Sequence, residues 1–234
     1  MNKICIIPAR GKSKRIRRKN IRLFADKPII AHSIDVAKKS NLFDRIIVST
    51  DDSEIAEIAK KYGAEIPFIR PDELSDDHTG TVPVVRHALK CLIESGCEVN
   101  VACCLYATAP LVQIEYLKLG YTKLMSSSAD YCFSIARLPI SIQKSLMLNE
   151  SGFTKPMFPS EYRGRSQDKT EAFYDAGQFY WGHVEAFTDD IPVATASSIG
   201  VVIPNKFVQD IDTEEDFELA ELLYNSHRII KLSK

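Results

Sequence analysis

Short, uninterrupted apolar runs alternate along the first half of the chain with stretches whose apolar residues recur every three or four positions. Residues 4–7 (Ile4, Cys5, Ile6, Ile7) predict a buried strand. Pro28 then opens a helix with Ile30, Ile34 and Ala37 on one face and Asn41 near its end. Residues 45–50 predict a second strand. A helix over residues 53–62 follows, with Ile55, Ile58, Ala59 and Tyr62 in phase and Gly63 as its stop. A short strand is expected over 65–69. Thr81 is positioned to cap a third helix whose stripe is Val84, Val85, Ala88, Leu89, Leu92 and Ile93. Residues 99–105 form one more apolar strand.

Continuous apolar strands separated by amphipathic helices indicate a parallel sheet covered on both faces. Such sheets bind ligands at the carboxyl ends of their strands. Three segments are thereby placed on one rim: the loop after Ile7, Thr50-Asp51-Asp52, and Tyr106 to Pro110. The second half changes character. Residues 130–137 and 140–148 read as antiparallel strands, and residues 149–170 are rich in Pro, Gly and charge. Strands are expected again at 177–181 and 201–203. Thr213 then caps a final helix bearing Phe217, Ala220, Leu223 and Tyr224. The expectation is a single α/β domain over 1–234, with an excursion from its body at about 138–172.

Length and charge narrow the classes. A chain of 234 residues can bury a full core. Its net charge of −1 argues against a general nucleic-acid binder. No apolar stretch approaches the ~18 residues of a membrane span, so a soluble, cytoplasmic protein is expected. The six cysteines form no C-x-x-C pair and fall mostly in apolar runs, where a free thiol acts as a small hydrophobe. The five histidines are scattered, with no zinc-ligand spacing.

Against that neutral background one segment stands out. Eight Lys or Arg lie between Arg10 and Arg22, and no acid precedes Asp26. A buried strand emptying into a glycine-containing cationic loop makes a cradle for polyphosphate, built from main-chain N–H groups and cationic heads. The loop is not a P-loop, because Ile6 stands where that motif needs its first glycine. A nucleic-acid arm is the bland alternative, but this run follows a strand instead of forming a free tail. The second feature is Gln209-Asp210-Ile211-Asp212-Thr213. Side chains two apart in extended chain point the same way, so Asp210 and Asp212 present paired carboxylates with Ile211 turned inward. Such a pair suits Mg2+ that keeps waters and takes phosphate oxygens from its substrate. The competing use is an N-capping Asp, which Thr213 could equally fill. Together the two features imply transfer at a nucleoside triphosphate, and several nucleotidyl or phosphoryl transferases remain open.

The run Ile7-Pro8-Ala9-Arg10-Gly11-x-Ser13-Lys14-x-Ile16-x-Arg18-Lys19-Asn20 resembles the first motif of the CMP-nonulosonate synthetases, cytidylyltransferases that activate sialic-acid-like sugars. The resemblance continues through Ser49-Thr50-Asp51-Asp52, Arg70-Pro71-x-x-Leu74-Ser75-x-Asp77-x-x-x-Thr81 and the Asp210 segment. It implies a three-layer, mainly parallel twisted sheet of the nucleotide-diphospho-sugar transferase type, a protruding dimerisation element that fits the excursion, a homodimer, and Mg2+. Tyr106-Ala107-Thr108-Ala109-Pro110, Arg165-Ser166-Gln167-Asp168 and Asp175 to Trp181 resemble the branch that activates pseudaminic acid. The implied reaction joins CTP to that nine-carbon keto-sugar acid, serving glycosylation of bacterial surface structures such as flagellin or polysaccharide. Legionaminic or N-acetylneuraminic acid is the alternative substrate.

Carried over residue by residue, the resemblance makes Arg10, Lys14, Lys19 and Asp212 catalytic. Ala9, Arg10, Gly11, Lys19, Asn20, Arg70 and Thr79 would bind the nucleotide. Thr81, Tyr106, Lys144, Arg165 and Gln178 would face the sugar, and Asp210 with Asp212 the metal. Tyr106 stands where sialic-acid enzymes carry Gln, a swap suited to a 9-deoxy sugar. Two positions depart from the pattern, Lys12 for a second glycine and Arg17 for proline. They leave open a nucleotide-binding module with impaired catalysis.

Overall fold

The computed structural model describes residues 2–232. In chain order its elements are β1 (Lys3–Pro8), the two-residue strands β2 (Leu23–Phe24) and β3 (Lys27–Pro28), α1 (Ile29–Ser40), β4 (Arg45–Ser49), α2 (Ser53–Lys61), α3 (Thr81–Glu94), β5 (Val101–Leu105) and α4 (Ile114–Met125). There follow β6 (Tyr131–Arg137), β7 (Leu146–Leu148), β8 (Thr154–Pro156), β9 (Phe173–His183), α5 (Val184–Thr188), β10 (Ser198–Ile203) and α6 (Glu214–Leu232).

The central sheet has six strands in the order β10-β6-β9-β5-β1-β4. β1 runs parallel to β4 and β5, and β10 runs parallel to β6. Only β9 is antiparallel, pairing with β5 on one side and β6 on the other. The mainly parallel expectation therefore holds. One face is sealed by α1, α2 and α4, whose Ile30, Ile34, Ile55, Leu117 and Leu124 pack on Cys5, Ile7, Val48, Cys103 and Trp181. The other is sealed by α3 and α5 through Val85, Leu89, Leu92 and Phe187 against Ile4, Ile6, Ala102 and Tyr131. A third cluster joins the front of the chain to its end: Ile16, Phe24 and Ile29 pack on Ile211, Phe217 and Ala220 of the α6 region.

Several local expectations are corrected. Residues 65–69 make only one bridge, Ile47 to Glu65, because Pro67 has no N–H with which to extend the ladder. Residues 140–148 do not pair with β6, whose antiparallel partner is β9. Pro139 and a 3₁₀ turn at Ile142–Lys144 intervene, and β7 instead forms a small separate hairpin with β8. Gly80, not Thr81, occupies the cap of α3, and no side chain caps it. Helices α4 and α5 lie where no helix was expected.

The parallel strands all end at one edge, which gathers the loops of interest. Five of the six strands run the same way, so Arg10, Thr50 and Tyr106 follow β1, β4 and β5 on a common rim. The antiparallel β9 begins there. The segment leaving β10 returns across the same rim before entering α6.

Candidate active site

The rim encloses an open cleft of ≈ 490 Å³. Arg10, Lys14, Arg15, Lys19 and Asn20 line it from the front of the chain, Arg70 to Thr81 from the middle, and Asp210 and Asp212 from the end. The cationic loop and the acidic pair, some 190 positions apart in sequence, therefore share one site.

The phosphate loop is held by its own polar atoms. The Ala9 N–H donates to Ser49 O at 2.9 Å, prolonging the β1–β4 ladder. The Gly11 N–H donates to the Asp51 carboxylate at 2.8 Å. Gly11 is required by crowding: a Cβ there would lie 2.6 Å from Asp52 Oδ2 and 2.8 Å from its Cβ. Asn20 is buried, and its amide donates to the Arg10 carbonyl at 2.9 Å, which turns the loop back on itself. Arg18 adopts a left-handed backbone (φ 56°) that swings its guanidinium onto Asp52, with contacts at 2.5 and 3.1 Å. Asp52 also accepts from the Ile55 N–H and so caps α2. The Arg18 bond is the leading cause that holds the Asp52 carboxyl below its ordinary range. Ile16, with 1% of its surface exposed, anchors the loop's middle under α6.

Lys19 closes the circuit. Its ammonium donates to the Ile211 carbonyl at 2.5 Å and lies 3.8 Å from Asp212, which also takes Arg15 at 2.6 Å. Burial lowers the Lys19 pKa, and the nearby Asp212 and Asp210 charges oppose that shift. Burial raises the Asp210 pKa, and the Asp212 charge adds to the effect. The Asp210–Asp212 turn is fixed from α6 by a capping box: Thr213 Oγ1 accepts from the Asp216 N–H, while the Asp216 carboxylate accepts from the N–H groups of Asp212 and Thr213. Thr213 thus performs the capping, and neither Asp210 nor Asp212 is needed for it.

On the opposite wall Arg70 is nearly buried (4% exposed). Its backbone N–H donates to Thr50 O and its Nε to Ser75 Oγ. Its Nη2 is buried 3.7 Å from Asp51 and makes no hydrogen bond, and the residue lines the cleft. Burial lowers its pKa, and Asp51 counters this. Thr79 is set by the Asp76 carboxylate, which accepts its N–H at 2.7 Å. Asp77 meets both Arg10, at 2.9 Å, and Lys14. Lys12 reaches Asp72 on the same segment, whereas Arg17 is exposed. Thr81 Oγ1 and Tyr106 Oη lie 2.7 Å apart, and Tyr106 Oη lies 3.5 Å from Tyr180 Oη. Burial pushes the Tyr106 pKa up to about 12.

Not every expected residue reaches the cleft. Ala9 and Gly11 support the loop from behind, and the Gly11 N–H is already committed to Asp51. Gln178 turns inward, 3% exposed, and donates to Phe207 O at 2.6 Å, so it does not face the sugar side. Lys144 donates to Tyr162 O at 2.5 Å and Gly164 O at 2.9 Å, lining a separate cavity with Ser166 and Gln167. Arg165 is exposed at the start of a 3₁₀ turn in the same excursion. Neither cation lines the cleft of its own chain.

Arg15, Asp76, Asp77, Asp175 and Tyr180, by contrast, line the cleft although the sequence reading gave them no site role, Asp77, Asp175 and Tyr180 having entered it only within motifs. Tyr180 and Asp175 meet at 2.5 Å although five residues apart. A regular strand would send them to opposite faces. Gly177, at φ 60°, and a register shift in the β6–β9 pairing break that alternation.

Comparison with known proteins agrees with this geometry. A family described as Cytidylyltransferase matches residues 4–229. The pseudaminic acid cytidylyltransferase of Campylobacter jejuni subsp. jejuni serotype O:2 is 42% identical over 224 residues, 96% of this chain and 97% of that one. A Helicobacter pylori protein named as pseudaminic acid cytidylyltransferase and UDP-2,4-diacetamido-2,4,6-trideoxy-beta-L-altropyranose hydrolase is 34% identical over 222 residues, 94% of this chain but 42% of that one. Among solved structures, CMP:2-keto-3-deoxy-manno-octonic acid synthetase complexed with CTP superposes with a TM-score of 0.72 at 13% identity, covering 97% of this chain and 100% of that one. That last likeness is one of fold. With a family match spanning nearly its whole length and the phosphate and acidic clusters meeting in one cleft, the chain belongs to the cytidylyltransferase family.

Proposed function

We propose that this protein transfers the cytidylyl group of CTP to pseudaminic acid, giving CMP-pseudaminic acid and diphosphate. The observation that carries this reading is Lys19, whose ammonium joins the phosphate loop to the Asp210–Asp212 turn inside one cleft. Resemblance over nearly the full length of a pseudaminic acid cytidylyltransferase supports the choice of sugar. In the reaction the anomeric hydroxyl attacks the α-phosphorus in line and diphosphate departs. Arg10, Lys14 and Lys19 neutralise the charge that gathers on the leaving group. Arg70, which lines the cleft, offers its guanidinium to acceptors on the base, and Thr79 fixes the backbone beside it.

Asp210 and Asp212 fit Mg2+. Both line the cleft, and burial together with the neighbouring Asp212 charge raises the Asp210 pKa, an effect a cation between the two carboxylates would offset. Among the described residues no three His, Cys, Asp or Glu side chains gather as a metal cage, so an ion here would complete its shell with water and phosphate oxygens. When bound, Mg2+ would neutralise phosphate charge and acidify the attacking hydroxyl.

Among the described residues no helix is long and apolar enough to cross a membrane. We place the enzyme in the cytoplasm as a homodimer formed through the 138–172 excursion. The decisive test measures diphosphate release from CTP, UTP, ATP and GTP with pseudaminic, legionaminic and N-acetylneuraminic acids. Release with CTP and pseudaminic acid is expected to exceed every other pair. Equal turnover of the three sugars would remove the specificity assigned to Tyr106. Stabilisation by CTP with no diphosphate from any sugar would reduce the protein to a nucleotide-binding module.

A further inference from the structure

One carboxylate of the cleft has no part in holding phosphate or metal. Asp77 and Asp212 are matched to cations, but the partners of Asp175 are a hydroxyl and a peptide N–H. Its Oδ2 accepts from the Tyr180 hydroxyl at 2.5 Å and its Oδ1 from the Gly177 N–H at 2.9 Å. Asp175 is exposed toward the cleft, so lone pairs remain on both oxygens.

The consequence lies in where the protons of the neighbouring hydroxyls must point. A carboxylate only accepts hydrogen bonds, so Tyr180 commits its single proton to Asp175. In the 3.5 Å contact between Tyr106 and Tyr180, Tyr106 must then be the donor. The one arrangement that makes all three contacts at once gives the Tyr106 proton to Tyr180 and has Tyr106 accept from Thr81 Oγ1 at 2.7 Å. Three hydroxyl protons thus run in one direction, from Thr81 through Tyr106 and Tyr180 to Asp175. Thr81 is left with lone pairs and no proton to offer.

We propose that Asp175 is a specificity-determining residue: it fixes the direction of the Thr81–Tyr106–Tyr180 chain and makes the sugar-facing wall of the cleft accept hydrogen bonds only. Such a wall selects a ring that presents O–H and N–H donors, and it repels the carboxylate of a sugar acid toward the cations across the cleft. The proposal rests on the sugar-activating function assigned above. Asparagine at this position cannot do the same work. Its amide must turn an –NH2 toward either the Gly177 N–H or the Tyr180 hydroxyl, which costs the first contact or reverses the chain.

The test compares Asp175→Asn and Tyr180→Phe with the wild type in steady-state diphosphate release, varying pseudaminic acid and CTP separately. A lost hydrogen bond to a charged acceptor corresponds to roughly tenfold or more in binding. Both variants are expected to raise the KM for pseudaminic acid about tenfold or more. The KM for CTP should stay within about twofold, and the melting temperature and the CTP-induced thermal shift should be unchanged. A sugar KM within about twofold of wild type in either variant overturns the proposal. So does equal loss for sugar and CTP together with a lower melting temperature, which marks general damage. If Asp175→Asn does not fold, Tyr180→Phe, which keeps the ring in its packing, decides alone. A wild type that releases no diphosphate with any of the sugars refutes the functional assignment itself, a result seen before any variant is made.

Discussion

At the scale of single residues, the site balances two charges that oppose burial. Lys19 is pulled toward neutrality by desolvation and kept cationic by Asp212 and Asp210; Asp210 is pulled toward protonation by desolvation and by Asp212. Lys19→Met removes the cation and the donor to Ile211, so kcat/KM for CTP should fall by about 100-fold or more. Lys14 is mostly exposed and pairs with Asp77, so Lys14→Ala should cost less; a larger loss there would contradict the central place given to Lys19. Asp210 gives a prediction with a sign. Its folded-state pKa lies above the ordinary value, so it contributes stability while protonated and loses that contribution as pH rises through the raised pKa. Asp210→Asn should therefore melt no lower than wild type at neutral pH while losing diphosphate release almost entirely. A drop of several degrees would show that the carboxylate is structural. Metal binding needs the ionised form, so the acid limb of kcat/KM should begin above the range of an ordinary aspartate. Some of this was legible in the chain: paired acids with an apolar residue between them announce their geometry. The Tyr180–Asp175 contact was not, because a bulge defeats the two-residue alternation on which strand reading depends.

At the scale of elements, the site is made by how strands end. The core strands were readable because continuous Ile, Val and Cys runs have few alternatives to a buried sheet. Breaks in regularity were less so. Pro67 cancels an expected strand, and Thr81 gives its hydroxyl to Tyr106 instead of capping α3. The two-residue strands β2 and β3 escape any periodic reading, although Phe24 of β2 helps build the cluster that holds Ile16 against α6. The turn from β1 into the phosphate loop is the most demanding junction. A Cβ at Gly11 would collide with the Asp52 side chain, which at once caps α2 and holds Arg18. Gly11→Ala is expected to lower stability by about 1–3 kcal/mol and to weaken CTP binding by tenfold or more. Thermal melting and calorimetric titration with CTP check both. Normal CTP affinity in that variant would mean the loop adapts freely and does not depend on Asp52.

At the scale of the molecule, the excursion at 138–172 is the part whose reason is missing from a single chain. Leu148 is 71% exposed and Phe153 74%, and Ile140, Leu146 and Met157 are exposed with them. Their small hairpin, β7 with β8, stands apart from the central sheet. A surface of this kind favours burial against another protein. The two cations expected to meet the sugar carboxylate, Lys144 and Arg165, sit in this same excursion and away from the cleft of their own chain. Pairing of two excursions would bury the apolar side chains, and it would let each copy offer those cations to the other's cleft. The expected solution mass is therefore about twice the 26.3 kDa of one chain, by light scattering across micromolar concentrations. Replacing Leu148 and Phe153 together by Asp should yield a monomer, since two buried charges oppose the interface. That monomer keeps the phosphate loop, Arg70 and the acidic pair, so its CTP-induced thermal shift should survive while pseudaminic acid turnover falls by about 100-fold. Mixing Lys144→Ala with Asp210→Asn offers the sharper comparison. If cations act across the pair, mixed dimers regain one intact cleft and part of the activity that neither variant has alone. A wild type that is monomeric at micromolar concentration, or a mixture no more active than its parts, would confine the chemistry to one chain and leave the sugar carboxylate to the cations of the phosphate loop.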